Sequence, residues 1–139
     1  MKSETKDDLD ILKIDKVVNL FFDAFTNKSK KPNLESLHQL CLQKAIIINN
    51  TNGLCETYDL NEFIISRKEI LSNGTLNNFV EHEQSKQTEV VGHIAHRISN
   101  YKKVWVSEGH QYTGIGVKMF QFARQNNDWK ICAIIWDDH

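Results

Sequence analysis

The first part of the chain carries apolar residues with the period of an α-helix. From Asp8 to Phe25 they recur every three or four positions, so they share one helix face. Acidic residues at the start favour the N-terminus through the helix dipole, and the basic segment 28–32 ends the pattern. The sequence therefore predicts an amphipathic helix over 8–25. Its buried face comprises Ile11, Ile14, Val18, Phe21 and Phe25.

Two more helices are predicted before position 75. Asn33 can cap a short second helix that follows Pro32. The apolar run 45–48 suits a strand, which the turn-rich segment 49–53 ends. Asp59 stands three residues before Glu62 in a capping-box arrangement, which predicts a third helix that ends near residue 71.

After Gly74 the pattern becomes that of strands, rich in β-branched and aromatic residues. It predicts four strands over about 79–86, 90–101, 109–124 and 129–137, with the first turn near Gln87 and Thr88. Sequential strands with short connections favour an antiparallel meander. Helices followed by strands predict an α+β domain that spans 1–139, with disorder expected over 1–7.

Four segments of this strand region together resemble a known family. They are 79–83, 92–101, 114–123 and 129–136. They look like the sheet half of uncharacterised bacterial SnoaL-like proteins of the nuclear transport factor 2-like superfamily. The resemblance implies a cystatin-like cone, in which N-terminal helices pack on a curved antiparallel sheet and leave a cavity. Superfamily members include ketosteroid isomerases, polyketide cyclases, dehydratases and domains that only bind or dimerise, so the fold does not choose a function.

Composition narrows the class of protein further. Lys plus Arg number 17 and Asp plus Glu 18, so no strong field attracts nucleic acid or an anionic membrane. No apolar stretch has the roughly 18 residues of a membrane span, and the polar N-terminus lacks a signal peptide, so we expect a cytoplasmic location. The odd number of cysteines, without a CxxC, predicts free thiols and neither a disulfide framework nor a cysteine zinc site.

The first predicted strand supplies the candidate catalytic residues. Glu81 and Glu83 share one face, roughly 7 Å apart along the strand. In a dry cavity such a pair suits general acid–base chemistry. If the hairpin turns near Gln87 and Thr88, His96 falls opposite or diagonal to Phe79 or Glu81, and a Glu81–His96 pair in a cavity would suit proton transfer. The alternatives are solvated carboxylates, carboxylates paired with Arg97 or a lysine, and a histidine merely satisfied between strands.

Aromatic residues are the candidate pocket walls, although such residues are more often core in a domain of this size. They are Tyr58, Phe63, Tyr101, Trp105 and Trp136. We expect no metal site, since His93 and His96 are three apart on a strand and point to opposite faces. We expect no cofactor either. The Gly114–Gly116 pair has no helix after it, so it predicts a bulge or bend rather than a phosphate cradle.

Both faces of the last predicted strand are apolar. Trp129, Ile131, Ala133 and Ile135 alternate with Cys132, Ile134 and Trp136. One face would meet the helices and the other a second copy, which predicts a homodimer through the sheet. The sequence thus favours a pocket for a small apolar or mixed-polarity molecule, and an isomerase, cyclase or lyase that uses acid–base chemistry. The alternative is a noncatalytic dimeric module that binds a ligand or a protein.

Overall fold

The structure is a computed structural model that describes residues 6–139. Helices α1, α2 and α3 precede or interrupt the early strands, and strands β1 to β6 form one sheet. Residues 1–5, part of the segment expected to be disordered, lie outside the described residues, whereas Lys6 and Asp7 begin α1. The elements are α1 Lys6–Asp23, α2 Leu37–Leu40, β1 Cys41–Asn49, β2 Glu56–Tyr58, α3 Leu60–Ile70, β3 Asn77–Val91, β4 Ile94–Ser107, β5 His110–Gln125 and β6 Asp128–Asp138.

Helices α1 and α3 follow the predicted signals, whereas Asn33 makes no side-chain capping hydrogen bond and α2 begins only at Leu37. The predicted spacing buries Ile14, Val18 and Phe21 of α1. The capping box of α3 is present, because the Glu62 amide donates to Asp59 Oδ1 at 2.8 Å and the Asp59 amide donates to Glu62 Oε1 at 3.0 Å. These two bonds satisfy amides that the first helical turn leaves free. Over residues 6–139, no helix combines the length and apolar character needed to cross a membrane.

The sheet is mixed, so the prediction of an antiparallel sheet needs a correction. Its strand order is β2-β1-β6-β5-β4-β3, and β3 to β6 form the predicted antiparallel meander. However, β1 pairs with β6 in parallel. More than half of the chain, residues 50–127, separates these two strands, so no hairpin dictates their direction. Strand β2, of three residues, is too short to show a sequence period.

The hairpin between β3 and β4 turns at Gly92 and His93, not near Gln87 as predicted. Gly92 has a φ of +59°, a left-handed conformation that glycine adopts without steric cost. Gln87 continues β3 and pairs with Ile98. The later turn makes both strands longer and shifts their pairing, which changes which residues of β3 face His96.

The core lies between the inner face of the sheet and the helices. Phe120 and Phe122 of β5 point inward, as their alternation predicts. On β6 a register shift opposite Gln121 and Phe122 breaks the alternation, so Ile131 and Ile134 are both buried. The predicted division of the last strand into two alternating faces is therefore wrong. The register shift moves the residues that follow it to the opposite face of the sheet.

Candidate functional site

A cavity of about 280 Å³ opens between α1, α3 and the inner face of the sheet. Ligand pockets of small domains are typically apolar clefts with a few polar groups. Six aromatic rings line the cavity, from α1 and the residues just after it, from α3 and from three strands. These rings belong to Phe21, Phe25, Phe63, Phe79, Trp105 and Trp136.

Five charged side chains also line this cavity. Three are cations and two are carboxylates, which is an unusual load for an apolar cleft because a buried charge is costly unless it is paired. They are Arg67 on α3, Glu81 on β3, Lys103 on β4, and Lys118 and Asp138 on β5 and β6.

Glu81 and Lys118 form a buried pair on the sheet wall. The strand alternation that buries Phe79 also turns Glu81 inward, and Lys118 stands inward between Gly116 and Phe120. Lys118 Nζ is 3.5 Å from Glu81 Oε2, and the two side chains are 8% and 7% exposed. Lys118 Nζ also lies 3.9 Å from the centroid of the Tyr101 ring. Burial lowers the pKa of the lysine against the opposing effect of Glu81.

A second group of charges, Lys103 and Asp138, also lines the cavity. The Tyr101 hydroxyl donates to Asp138 Oδ1, and Lys103 Nζ lies 3.0 Å from the same oxygen. Burial and this hydrogen bond raise the pKa of Tyr101 above its usual range. Burial opposes a lower pKa at Asp138, but the bonds from Tyr101 and Lys103 outweigh it and lower that pKa. Asp138 is thus an ionised acceptor already occupied by two donors.

Arg67 enters the cavity from α3, one turn after Phe63. Its Cζ lies 4.8 Å from the Phe63 ring centroid, 5.7 Å from that of Tyr58 and 5.6 Å from that of Trp136. Within the described chain it forms no ion pair with a carboxylate. Burial lowers its pKa, although Tyr58 acts in the opposite direction.

The two predicted carboxylates have different partners in the structure. Glu81 and Glu83 share the inner face, but Glu83 is held by Arg97, whose Nε donates to Oε2 at 3.0 Å. Arg97 Nη1 also donates to Asp15 at 2.6 Å. Glu83 therefore corresponds to the alternative considered from the sequence, a carboxylate paired with Arg97, and it does not line the cavity.

His96 is not beside Glu81. The later hairpin turn pairs His96 with Glu89 on the outer face, where its Nε2 lies 3.9 Å from Glu89 Oε2 and its side chain is 57% exposed. The predicted Glu81–His96 unit is therefore wrong, because it depended on a turn near Gln87. In the part of the chain that the structure describes, no three His, Cys, Asp or Glu side chains are placed to hold a metal ion.

The predicted wall aromatics fall into three positions. Phe63, Trp105 and Trp136 line the cavity. Tyr101 is fully buried beneath it. Tyr58 lines a separate surface groove and contacts two residues of the cavity wall: its ring centroid is 5.8 Å from that of Phe63 and 5.7 Å from Arg67 Cζ.

Lys118 and Arg67 were not among the predicted site residues, although the sequence carried a signal for each. Lys118 is the one charged residue in the inward-facing series Gly116, Lys118, Phe120 and Phe122. Arg67 falls on the predicted buried face of α3 together with Phe63. A charge at an inward position of an otherwise apolar pattern is the informative exception.

The sequence matches no protein-family model, and comparison with curated proteins gives no significant match. Solved structures do match. A hexachlorocyclohexane dehydrochlorinase, LinA-type3 from Novosphingobium barchaimii LL02, has a TM-score of 0.78 at 12% identity, over 94% of this chain and 87% of that one. A protein of unknown function from Silicibacter pomeroyi DSS-3, described as NTF-2 like, has a TM-score of 0.69 at 14% identity, over 97% and 100%.

This chain has the nuclear transport factor 2-like fold. An uncharacterised protein with a cystatin-like fold from Caulobacter vibrioides agrees, with a TM-score of 0.73 at 10% identity, over 93% of this chain and 89% of that one. The predicted fold class, α+β with helices packed on a curved sheet, is confirmed. The nuclear transport factor 2-like fold serves an enzyme as well as proteins of unknown function, so function must be argued from the cavity itself.

Proposed function

We propose that this protein binds a small molecule in the cavity and transfers a proton at a carbon atom next to a carbonyl group, with its own side chains as acid and base. The observation that carries the proposal is the Glu81–Lys118 pair, which is buried on the wall of a cavity that six aromatic rings also line. Both side chains border the cavity, and a charge pair that borders a cleft is a candidate functional site.

The pair is loosely bonded, which leaves the carboxylate available. The Lys118 Nζ to Glu81 Oε2 distance of 3.5 Å is at the outer limit of a hydrogen bond. A carboxylate accepts about four hydrogen bonds, so most of the capacity of Glu81 remains for a ligand. Apolar walls exclude water and strengthen whatever polar contact a ligand makes there.

In the proposed step Glu81 is the base and Lys118 stabilises the anion. The carboxylate takes a proton from carbon, the C–H electron pair forms a C=C bond, and the carbonyl π pair moves to oxygen. The Lys118 ammonium donates a hydrogen bond to that oxygen, whose negative charge develops in the transition state. Return of the proton to another carbon isomerises the substrate. Expulsion of a leaving group or attack on a second carbonyl would make the protein a lyase or a cyclase.

The test is hydrogen–deuterium exchange into 2-indanone, an apolar bicyclic ketone with exchangeable C–H bonds beside its carbonyl group. Wild-type protein in D₂O should accelerate the exchange measured by mass spectrometry. Glu81→Gln should slow the protein-dependent rate by about 100-fold or more, the usual range for loss of a general base. Glu89→Gln, on the same strand but exposed on the outer face, is the matched control and should keep the wild-type rate.

Equal exchange rates for wild type, Glu81→Gln and Glu89→Gln would overturn the proposed role of Glu81. Circular dichroism and thermal melting of the three proteins would show whether each is folded. Binding of 2-indanone without any acceleration of exchange would favour the alternative function, a module that binds its ligand without catalysis.

One observation also supports self-association. The outer face of the sheet carries an apolar patch that runs across β1, β6, β5 and β4, where paired residues of neighbouring strands share the face. Ile46 and Met119 are each 50% exposed, and Ile115 is 54% exposed. Single exposed apolar residues are ordinary, but a contiguous set marks an interface. We propose that this outer patch, made of Ile46, Ile98, Ile115, Met119 and Ile135, pairs with a second copy in a two-fold dimer.

A further inference from the structure

Among the three cations that line the cavity, Arg67 is the one without a carboxylate partner in the described residues. Each of the other two cations has a carboxylate: Lys103 lies 3.0 Å from Asp138, and Lys118 lies 3.5 Å from Glu81. Within the described residues, Arg67 has no carboxylate at ion-pair distance, and its hydrogen bond to Ser66 Oγ is long, at 3.4 Å.

The acidic groups that act on Arg67 do so only through space. Glu56 and Glu81 both favour its charged form from a distance. Glu56 is exposed and accepts the Tyr58 hydroxyl at 3.1 Å. Since a guanidinium stays protonated under ordinary conditions, the cavity walls carry a net charge of one positive unit, from three cations and two carboxylates. Burial of that charge without a partner is unfavourable.

The surroundings of Arg67 determine which anion fits. Its guanidinium lies over the Phe63 ring at 4.8 Å. A guanidinium has five N–H donors in one plane. One of them is directed at Ser66 Oγ and another interacts with Tyr58, so donors remain for a ligand. These in-plane donors match the two oxygens of a carboxylate in a bidentate contact. A monocarboxylate would neutralise the single excess charge, whereas a dianionic phosphate would leave the cavity negative.

We propose that Arg67 binds the carboxylate of the ligand, so that the substrate class is a small carboxylic acid with an apolar, carbonyl-bearing body. This inference rests on the proposed function, because it uses the same cavity. The Trp136 ring centroid is 5.6 Å from Arg67 Cζ and 5.0 Å from Lys118 Nζ. A ligand that lies along this ring therefore reaches from the guanidinium to the Glu81–Lys118 pair, which places its reactive carbon near the base.

The test compares benzoate with benzamide, two probes of nearly equal shape that differ in charge. Binding is followed by the ¹⁵N-resolved indole N–H signals of the three tryptophans. Trp105 and Trp136 line the cavity, while the Trp129 N–H donates to Asp10 outside it at 3.0 Å and serves as an internal control. Wild type should bind benzoate about tenfold or more tightly than benzamide, as expected for a charge-assisted bidentate contact.

Arg67→Met should weaken benzoate binding by about tenfold or more and leave benzamide binding nearly unchanged, so the preference disappears. Lys68→Met removes the same charge from the next residue, whose ammonium is exposed and paired with Glu35, and should keep the preference. Arg67→Lys should retain part of it, because the charge remains but the bidentate geometry is lost. The unchanged Trp129 signal shows that each variant is folded.

Equal affinity of wild type for benzoate and benzamide, or a preference that survives in Arg67→Met, would overturn the carboxylate inference. Neither result tests the proposed proton transfer, because the exchange of 2-indanone measures that step separately. Exchange of 2-indanone by wild type without any response of Trp105 and Trp136 to benzoate would likewise overturn this inference alone.

Discussion

Gly116 illustrates how a single residue fixes the wall of the cavity. A Cβ atom at this position would collide with the Tyr101 hydroxyl and would lie 2.7 Å from the Asp137 carbonyl oxygen. The sequence predicted a bulge or a bend here, but the pairing of β4 with β5 is regular through this segment. Glycine is needed because the Tyr101 ring crosses the strand, and sequence alone does not reveal which side chain will lie over a glycine.

We predict that Gly116→Ala destabilises the protein by about 1–3 kcal/mol, the usual cost of overpacking a rigid site. Gly114→Ala is the matched control, since the added methyl group meets mainly the flexible Lys103 side chain, with Cε at 3.0 Å. It should change the free energy of unfolding by less than about 0.5 kcal/mol. Urea denaturation measures both; equal losses for the two variants would contradict this account of Gly116.

At the same scale, the candidate site was only partly predictable. Strand alternation was sufficient to place Glu81 and Glu83 on the same face, but it did not show that this is the inner face. It did not show that Arg97 would hold Glu83, because that contact depends on the neighbouring strand and on Asp15 of α1. The partner of Glu81, Lys118, lies 37 residues further along the chain, so its role requires the register of three strands.

At the scale of elements, Arg97 joins the sheet to the first helix. Its side chain is fully buried, and it bonds Glu83 of β3 and Asp15 of α1. Burial acts to raise the pKa of Asp15, but the bonds from Arg97 and Lys86 outweigh it and lower that pKa. The ionised form of Asp15 is therefore part of what holds α1 against β3 and β4.

This arrangement predicts how stability depends on pH. Because the folded-state pKa of Asp15 is below its unfolded value, its contribution is complete above the ordinary aspartate pKa of about 3.9 and is lost as the pH falls through the lower, folded value. Asp15→Asn should be less stable than wild type at neutral pH and should lose less stability on acidification. Thermal melting of both proteins between neutral and acidic pH measures this; parallel pH profiles would argue against the role of Asp15.

The helices and the meander were predicted because they depend on local signals, namely apolar spacing, the capping box and turn residues. The hairpin turn was misplaced because Gln87 and Thr88 interrupt the apolar pattern without ending the strand. Gly92, with its positive φ, was the better turn signal. Because register fixes every cross-strand neighbour, a turn predicted a few residues too early placed His96 in the cavity, whereas it lies on the outer face.

At the scale of the whole molecule, the outer patch predicts a dimer. Met119→Lys together with Ile135→Lys should give a monomer in light scattering at micromolar concentration, whereas wild type should have twice the mass of one chain. The two residues pair across β5 and β6 and are 50% and 39% exposed, so the change should leave the fold intact. Ile65→Lys, at a 67% exposed position on α3, is the control and should remain dimeric. A monomeric wild type would contradict the proposed dimer.

The cavity is a property of the whole chain, and the sequence predicted it only through the resemblance to a family. Residues of α1, α3 and every strand from β3 to β6 line it, so no local pattern reports its size or its charge. The cavity wall has one more cation than carboxylates, and Arg67 is identified as the unpaired cation only once the partners of Lys103 and Lys118 are known.

The response of the tryptophan indole signals to 2-indanone, in wild type and in Glu81→Gln, tests directly whether this cavity is the binding site. We expect the signals of Trp105 and Trp136, on the cavity wall, to shift in both proteins. Trp129, bonded to Asp10, should not shift, and of the two proteins wild type should accelerate exchange of the ketone hydrogens far more strongly. Saturable shifts confined to Trp129, or no shift of Trp105 and Trp136, would contradict the claim that this cavity is the binding site.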